Sequence, residues 1–229
     1  LHILDNLTSG DPVSRLIRDQ LTVVIIPMYN PDGAEANIRQ STTPNRIDLN
    51  RDWENFAQPE SVAFWKLWRD LAPELALDLH HMGQAPVVQG TNDLNQFQIG
   101  ARSIAPSRMT DEQWLTNRQM AMVSVDALER YGVVNVAHYP LIDITNAALS
   151  RMLMGGTAPD SEPVIDTPTQ GAIFYEVRSV GQKSRGQLQN LFKIPTMAVL
   201  EAAADGSLSS YDVSGYEDIP FASQRACGT

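Results

Sequence analysis

The feature that most constrains the fold is a set of short apolar runs, dense in β-branched residues and separated by stretches of helical period. Residues 21–28 read Leu-Thr-Val-Val-Ile-Ile-Pro-Met, residues 75–80 Leu-Ala-Leu-Asp-Leu-His, and residues 172–177 Ala-Ile-Phe-Tyr-Glu-Val. Runs of this length and composition suit strands buried on both faces. Residues 133–138 are a further strand candidate. Between the runs lie predicted helices. One opens with Asp11 as N-cap and Pro12 at the first helical position and runs to Arg18. Another spans 59–71, with Val62, Phe64, Trp65, Leu67 and Trp68 among its apolar positions. A third spans 111–131, with Trp114, Leu115, Met122, Val125 and Leu128 at helical spacing, and stops at Gly132. Two more cover 142–154, ended by Gly155-Gly156, and 195–204, with Gly206 beyond. Residues 1–7 read as the end of a helix already under way, because no capping signal precedes them. Residues 30–45, 83–109 and 157–169 lack a period or are punctuated by proline, and are expected to be loop or surface cover. Strands alternating with helices predict an α/β fold, with a mixed, largely parallel central sheet and helices on both faces.

A chain of 229 residues suits one such domain, and 43% hydrophobic content allows it a sizeable core. A formal charge of −10 argues against nucleic acid as a partner, since phosphate backbones recruit an excess of Lys and Arg. The single cysteine, Cys227, excludes both an internal disulfide framework and a cysteine-based zinc site. No apolar run is long enough to span a bilayer. The first residue is Leu1, so the chain is expected to be processed or part of something longer.

Chemistry-bearing residues gather near the predicted strand ends, where parallel α/β sheets collect function. Asn30-Pro31-Asp32-Gly33 follows the first run, and Asp48-Leu49-Asn50-Arg51 comes after it. Asp78-Leu79-His80 closes the second run, and Phe174-Tyr175-Glu176-Val177-Arg178 closes the last. The planar guanidinium of Arg51 can grip a carboxylate through two parallel hydrogen bonds, with the Asn50 amide beside it. The bland alternative ties Arg51 to Asp48 or Asp52. His80 can ligate a metal, with Asp78 on the same strand face as its partner, while His81 points the other way. Glu176 stands in apolar company, which raises a carboxyl pKa toward general-base duty. Its bland alternative is a salt bridge to Arg178. Together these groups suit binding an anionic group and hydrolysing the bond beside it.

The four blocks in this order resemble the zinc carboxypeptidase family, the carboxypeptidase A-like metallopeptidases, over roughly residues 21–204. Ile194-Pro195-Thr196 resembles the segment entering that family's last helix. The resemblance implies a single zinc carboxypeptidase-like catalytic domain across residues 1–229, lacking its N-terminal part, with zinc as cofactor. By the match, His80 takes the place of the later metal ligand and Glu176 that of the general base. Asn50 and Arg51 take the place of the pair that holds the substrate's terminal carboxylate. Arg39 is the candidate for the arginine that stabilises the oxyanion, with Arg46 its competitor. The expected substrate is a peptide or acyl-amino acid with a free carboxylate, and the resemblance leans toward a secreted or periplasmic protein.

This chain departs from the family in two places. The family's His-x-x-Glu motif, which supplies two of its three zinc ligands, is absent; the handful of residues closest in shape, His2-Ile3-Leu4-Asp5, stands too near Asn30. Those ligands and the first strands of the sheet are expected to precede Leu1, and the chain alone is expected to be inactive. The family's substrate-capping tyrosine would fall at Arg151 or Met152, and neither Tyr139 nor Tyr175 is assigned that role. The alternatives are a deacylase or cell-wall peptide amidase on the same scaffold, and a metal-free carboxylate-binding pseudoenzyme.

Overall fold

A computed structural model describes residues 2–42, 46–53, 55–82, 87–101, 110–139, 169–178 and 185–223. The helices are α1 (His2–Leu7), α2 (Pro12–Gln20), α3 (Pro31–Ala36), α4 (Pro59–Leu71), α5 (Asp111–Arg130) and α6 (Arg185–Ala204). The strands are β1 (Leu75–Met82), β2 (Phe97–Ile99), β3 (Val136–His138) and β4 (Gly171–Arg178). They form one sheet in the order β1-β4-β2-β3. β1 runs parallel to β4 and β2 parallel to β3, whereas β2 and β4 are antiparallel. The sheet is therefore mixed, and two of its three pairings are parallel.

The alternation of β4 side chains divides the protein into two packed layers. Ile173, Tyr175 and Val177 point into the main core with Phe97, Ile99 and, from α5 and α6, Met120, Leu128, Leu191 and Val199. α5 is held at its start by a reciprocal cap, in which Thr110 accepts from the Gln113 backbone and the Gln113 side chain accepts from the Thr110 backbone. Asn117, on the same helix, accepts the Ala172 N–H at 2.8 Å, which joins the helix to β4. On the other face, Ala172 and Ala76 meet Trp68 of α4 within a second cluster containing Trp53, Phe56, Phe64 and Tyr29. Helices thus cover both faces. The far end of that second face, beyond Phe174, carries the polar residues.

Four expectations need correction. Residues 21–28 are not a strand. They join no strand ladder among the described residues, and Val24, Ile25, Ile26 and Met28 are 38–58% exposed. β-branched composition favours a strand only when a neighbour completes its ladder, and none of the described strands lies beside this segment. Within the expected loop 30–45, Asn30 caps a short helix, α3, because Pro31 and the Asn30 side chain pre-set its first turn. β2 forms within the aperiodic stretch 83–109, where three residues suffice because it is paired on both sides. α6 begins ten residues before Pro195 and carries that proline in its interior. Leu188, Leu191 and Phe192 repeat at helical spacing against the core, and this burial outweighs the backbone hydrogen bond lost at Pro195. The expected helix 142–154, with Arg151, Met152 and Gly155-Gly156, lies outside the described residues, as do 157–168 and Cys227.

Candidate active site

The register of β1 against β4 builds the centre of the site. His80 stands opposite Glu176 and Asp78 opposite Phe174 in the parallel pairing, so all four side chains lie on one face. The His80 Nε2 meets Asp78 Oδ2 at 2.6 Å, and its Nδ1 lies 4.0 Å from Glu176 Oε1. Nε2 is thus the ring nitrogen that Asp78 holds, and Nδ1 the one that faces Glu176. That carboxylate–imidazole pairing is the usual means of orienting a metal-ligating histidine. Burial alone would lower the His80 pKa, but the neighbouring carboxylates of Asp78 and Glu176 outweigh it and the net shift is upward. The Glu176 carboxyl is also raised, first by burial and then by Asp78, against opposing pulls from His80 and Arg39. Its Oε2 is buried and has no hydrogen-bond partner among the described residues.

Phe174 floors this end of the sheet. Its ring packs edge-on against His80, with centroids 5.9 Å apart, and against Tyr139 at 4.9 Å. Gly100 lies against the ring, and a Cβ at that position would overlap it. Tyr139 leaves the end of β3, held by its N–H to the Ile99 carbonyl. Its hydroxyl is raised in pKa by burial and by Glu176, and lowered by Arg51, so it lies within electrostatic reach of both. Sequence reasoning assigned Tyr139 no role. The available signal was its position directly after a strand end, which means little until β2 and β4 are known to be neighbours.

The residues expected to bind an anion, Asn50 and Arg51, lie on the segment between α3 and α4. Asp48 caps the turn Leu49–Arg51, accepting the Asn50 N–H through Oδ1 at 3.0 Å. Its Oδ2 accepts the Arg39 Nε–H at 2.7 Å. Asp52 is buried and accepts the backbone N–H groups of Ala57 and Gln58 at 2.8 Å each. Both acids suggested as structural partners of Arg51 are thus engaged elsewhere. The Arg51 guanidinium makes one hydrogen bond among the described residues, from Nη1 to the Asn50 carbonyl at 3.0 Å. Of the two oxyanion candidates, Arg39 is the one whose charge acts on both His80 and Glu176. Arg46 is exposed and sits at φ 52°.

The donor set tests whether zinc fits. His80 Nδ1 is a suitable ligand atom, on a ring held by Asp78 at Nε2 and 4.0 Å from Glu176 Oε1. Among the described residues, however, no group of three His, Cys, Asp or Glu side chains comes together as a metal set. The described residues therefore offer one candidate ligand, His80, and do not by themselves complete a three-ligand zinc site.

Comparison with known proteins agrees with the motif reading. No family model matches the chain. Among curated proteins, the chain is 49% identical over 86 residues to cytosolic carboxypeptidase 4 of Homo sapiens, a stretch covering 37% of this chain and 7% of the relative. It is 32% identical over 109 residues to carboxypeptidase SOL1 of Arabidopsis thaliana, covering 42% of this chain and 21% of that protein. A third relative, cytosolic carboxypeptidase 4 of Mus musculus, is 44% identical over 50 residues. The chain spans no more than 21% of the length of these relatives. The resemblance to carboxypeptidases is borne out. The lean toward a secreted or periplasmic protein is overturned, since two of the three relatives are named as cytosolic enzymes. No helix among the described residues is long and apolar enough to cross a membrane.

Proposed function

We propose that this chain forms the substrate-binding and general-base side of a zinc-dependent carboxypeptidase, which removes C-terminal residues from peptides. The observation that carries the reading is the pairing of His80 with Glu176 across β1 and β4, with Arg39 in electrostatic reach of both. Relatives named carboxypeptidases support peptide hydrolysis in general.

The residues divide the work by their chemistry. Arg51 and Asn50 bind the terminal carboxylate and so place the last peptide bond over the sheet end. The Arg39 guanidinium, anchored at Nε by Asp48, has its Nη groups unpaired among the described residues and faces charge that develops on the carbonyl oxygen. Glu176 accepts the proton of the attacking water. Its raised pKa brings it closer to the neutral range in which a base works best, and its free Oε2 leaves room for the proton. Zinc, with His80 as one ligand and the remaining ligands from outside the described residues, would supply Lewis acidity toward the carbonyl and the water. Asp78 holds the His80 ring so that Nδ1 stays available.

The test compares a free-acid peptide with its C-terminal amide, in the protein that carries this chain, with zinc and after chelation. We expect the acid to be cleaved, the amide to be poor, and chelation to stop both. In Arg51→Ala the acid should lose most of its advantage. Arg51 is exposed in the free chain, and its contact is desolvated only by bound substrate; removing one partner of such a charged contact costs about 2–5 kcal/mol, a factor of roughly thirty or more. Equal cleavage of acid and amide by the parent protein would replace the exopeptidase reading with an amidase, and turnover indifferent to chelation would remove the metal from it.

A further inference from the structure

The Asn-Pro-Asp-Gly block has no part in the chemistry above, yet the side chain of its first residue is hydrogen-bonded to the loop that carries Arg39. Asn30 Oδ1 accepts the Gly33 N–H at 2.9 Å, which caps α3. Its Nδ2 donates to the carbonyls of both Arg39 and Gln40, at 3.1 Å each. These partners define the amide's orientation without ambiguity, because an N–H can only meet the oxygen and a carbonyl can only meet the nitrogen. Gly33 is required beside it, since a Cβ there would overlap the Asn30 side chain. The loop is closed again two residues past Arg39. Ser41 N–H donates to the Ile47 carbonyl at 2.9 Å, the Ile47 N–H donates back to Ser41 Oγ at 3.2 Å, and Ser41 Oγ donates to Gln58 Oε1 at 3.0 Å. Ser41 and Gln58 are fully buried.

We propose that Asn30 is a positioning residue for Arg39, its oxygen capping α3 and its nitrogen tethering the Arg39–Gln40 backbone so that the guanidinium reaches the reacting carbonyl. This inference rests on the role of Arg39 in the carboxypeptidase reading. An arginine on a loop gains precision only if its backbone is held as firmly as its side chain. Here Asp48 holds the side chain at Nε, and Asn30 holds the main chain at the same residue. Ser41 and Gln58 then prevent the segment from pivoting about that point.

The decisive variant is Asn30→Asp. An aspartate caps a helix as well as an asparagine does, so α3 is preserved. It has no N–H to offer, and its second oxygen would face two carbonyls. If Asn30 only caps, Asn30→Asp is silent. If it tethers, kcat for the free-acid peptide falls by about tenfold to a hundredfold, because a misplacement of about 1 Å costs on that order. KM and the preference for acid over amide, which depend on Arg51, stay near the parent values. Gly33→Ala should reproduce the fall by pushing the Asn30 side chain aside. A second readout does not need turnover. In nitrogen-15 spectra the Arg39 Nε–H should be protected from solvent exchange in the parent chain and lose that protection in Asn30→Asp. Parent-like kcat together with a protected Arg39 Nε–H in Asn30→Asp overturns the tether. Loss of protection with kcat unchanged keeps the tether but removes Arg39 from the reaction, and Arg39→Ala with parent activity would establish the same point independently.

Discussion

Replacing Gly100 by alanine joins packing to chemistry at a single atom. The added methyl would overlap the Phe174 ring, which is 8% exposed. Two further rings restrict its retreat, since His80 and Tyr139 both pack against it at steep angles. Gly100 cannot withdraw easily either, since its N–H donates to the Phe174 carbonyl at 2.8 Å. Overpacking of a confined site costs about 1–3 kcal/mol, and the confinement here places Gly100→Ala in the upper half, about 2–3 kcal/mol. For a chain of this size each kcal/mol lowers the melting temperature by roughly 2–4 °C, so a fall of about 4–12 °C is expected. Phe174→Leu alone should cost about 1 kcal/mol through lost aromatic contacts. Because leucine vacates the space that the methyl needs, the double variant should be more stable than the sum of the two changes predicts, by about 1–2 kcal/mol. Urea denaturation of the four proteins measures this cycle, with an unchanged slope showing that only stability has moved. A Gly100→Ala protein within about 0.5 kcal/mol of the parent, or a double variant that is merely additive, would refute the packing described for Phe174.

Three further outcomes follow from the same geometry. Glu176→Gln keeps the shape and removes the base, so turnover should fall by several orders of magnitude while zinc content by elemental analysis stays at the parent level; near-normal turnover would take Glu176 out of the mechanism. His80→Ala should lower zinc affinity and His81→Ala should not, because only His80 shares a face with Glu176; equilibrium dialysis that finds the reverse would mean the register of β1 has been misread. Tyr211 donates to Asp126 at 2.6 Å, and its pKa is pushed up to about 12 by burial and by that carboxylate. A raised folded-state pKa gives stability that is complete below the unfolded value of 10.0 and is lost as pH rises through about 12. Denaturation midpoints should therefore decline over that window in the parent and lose this component in Tyr211→Phe.

What could be read from sequence depended on how local its cause was. The span 59–71 was correct to the residue because Pro59 starts the helix and its apolar period is internal to the segment. The span 111–131 was right to within one residue for the same reason, with the Thr110 cap at its head. Residues 21–28 misled because β-branched composition reports a preference for a sheet and not the presence of a neighbour. Pro195 misled because a strong local breaker was overruled by the burial of Leu188, Leu191 and Phe192. In the site, the residue types and their order were legible, but the contacts were not. The meeting of His80 with Glu176 depends on a pairing between residues almost a hundred positions apart, and the approach of Tyr139 depends on β2 lying between β3 and β4. Asn30 was visible as a motif, while its hold on Arg39 needed the loop closed in three dimensions.

β1 is an edge strand of the described sheet, and it is also the strand that carries His80. Its outer edge joins no strand among the described residues, and neither does the apolar segment 21–28. A strand laid along the open edge of β1 would run about 4.8 Å away, and its side chains on the matching face would stand beside Asp78 and His80. Completion of the sheet and occupation of the metal position would then be two ligands of one equilibrium. Each would strengthen the other by the same factor, whichever was added first. Zinc affinity would become a gauge of how well that edge is covered, and a metal titration would measure strand addition without any need to observe the strand itself.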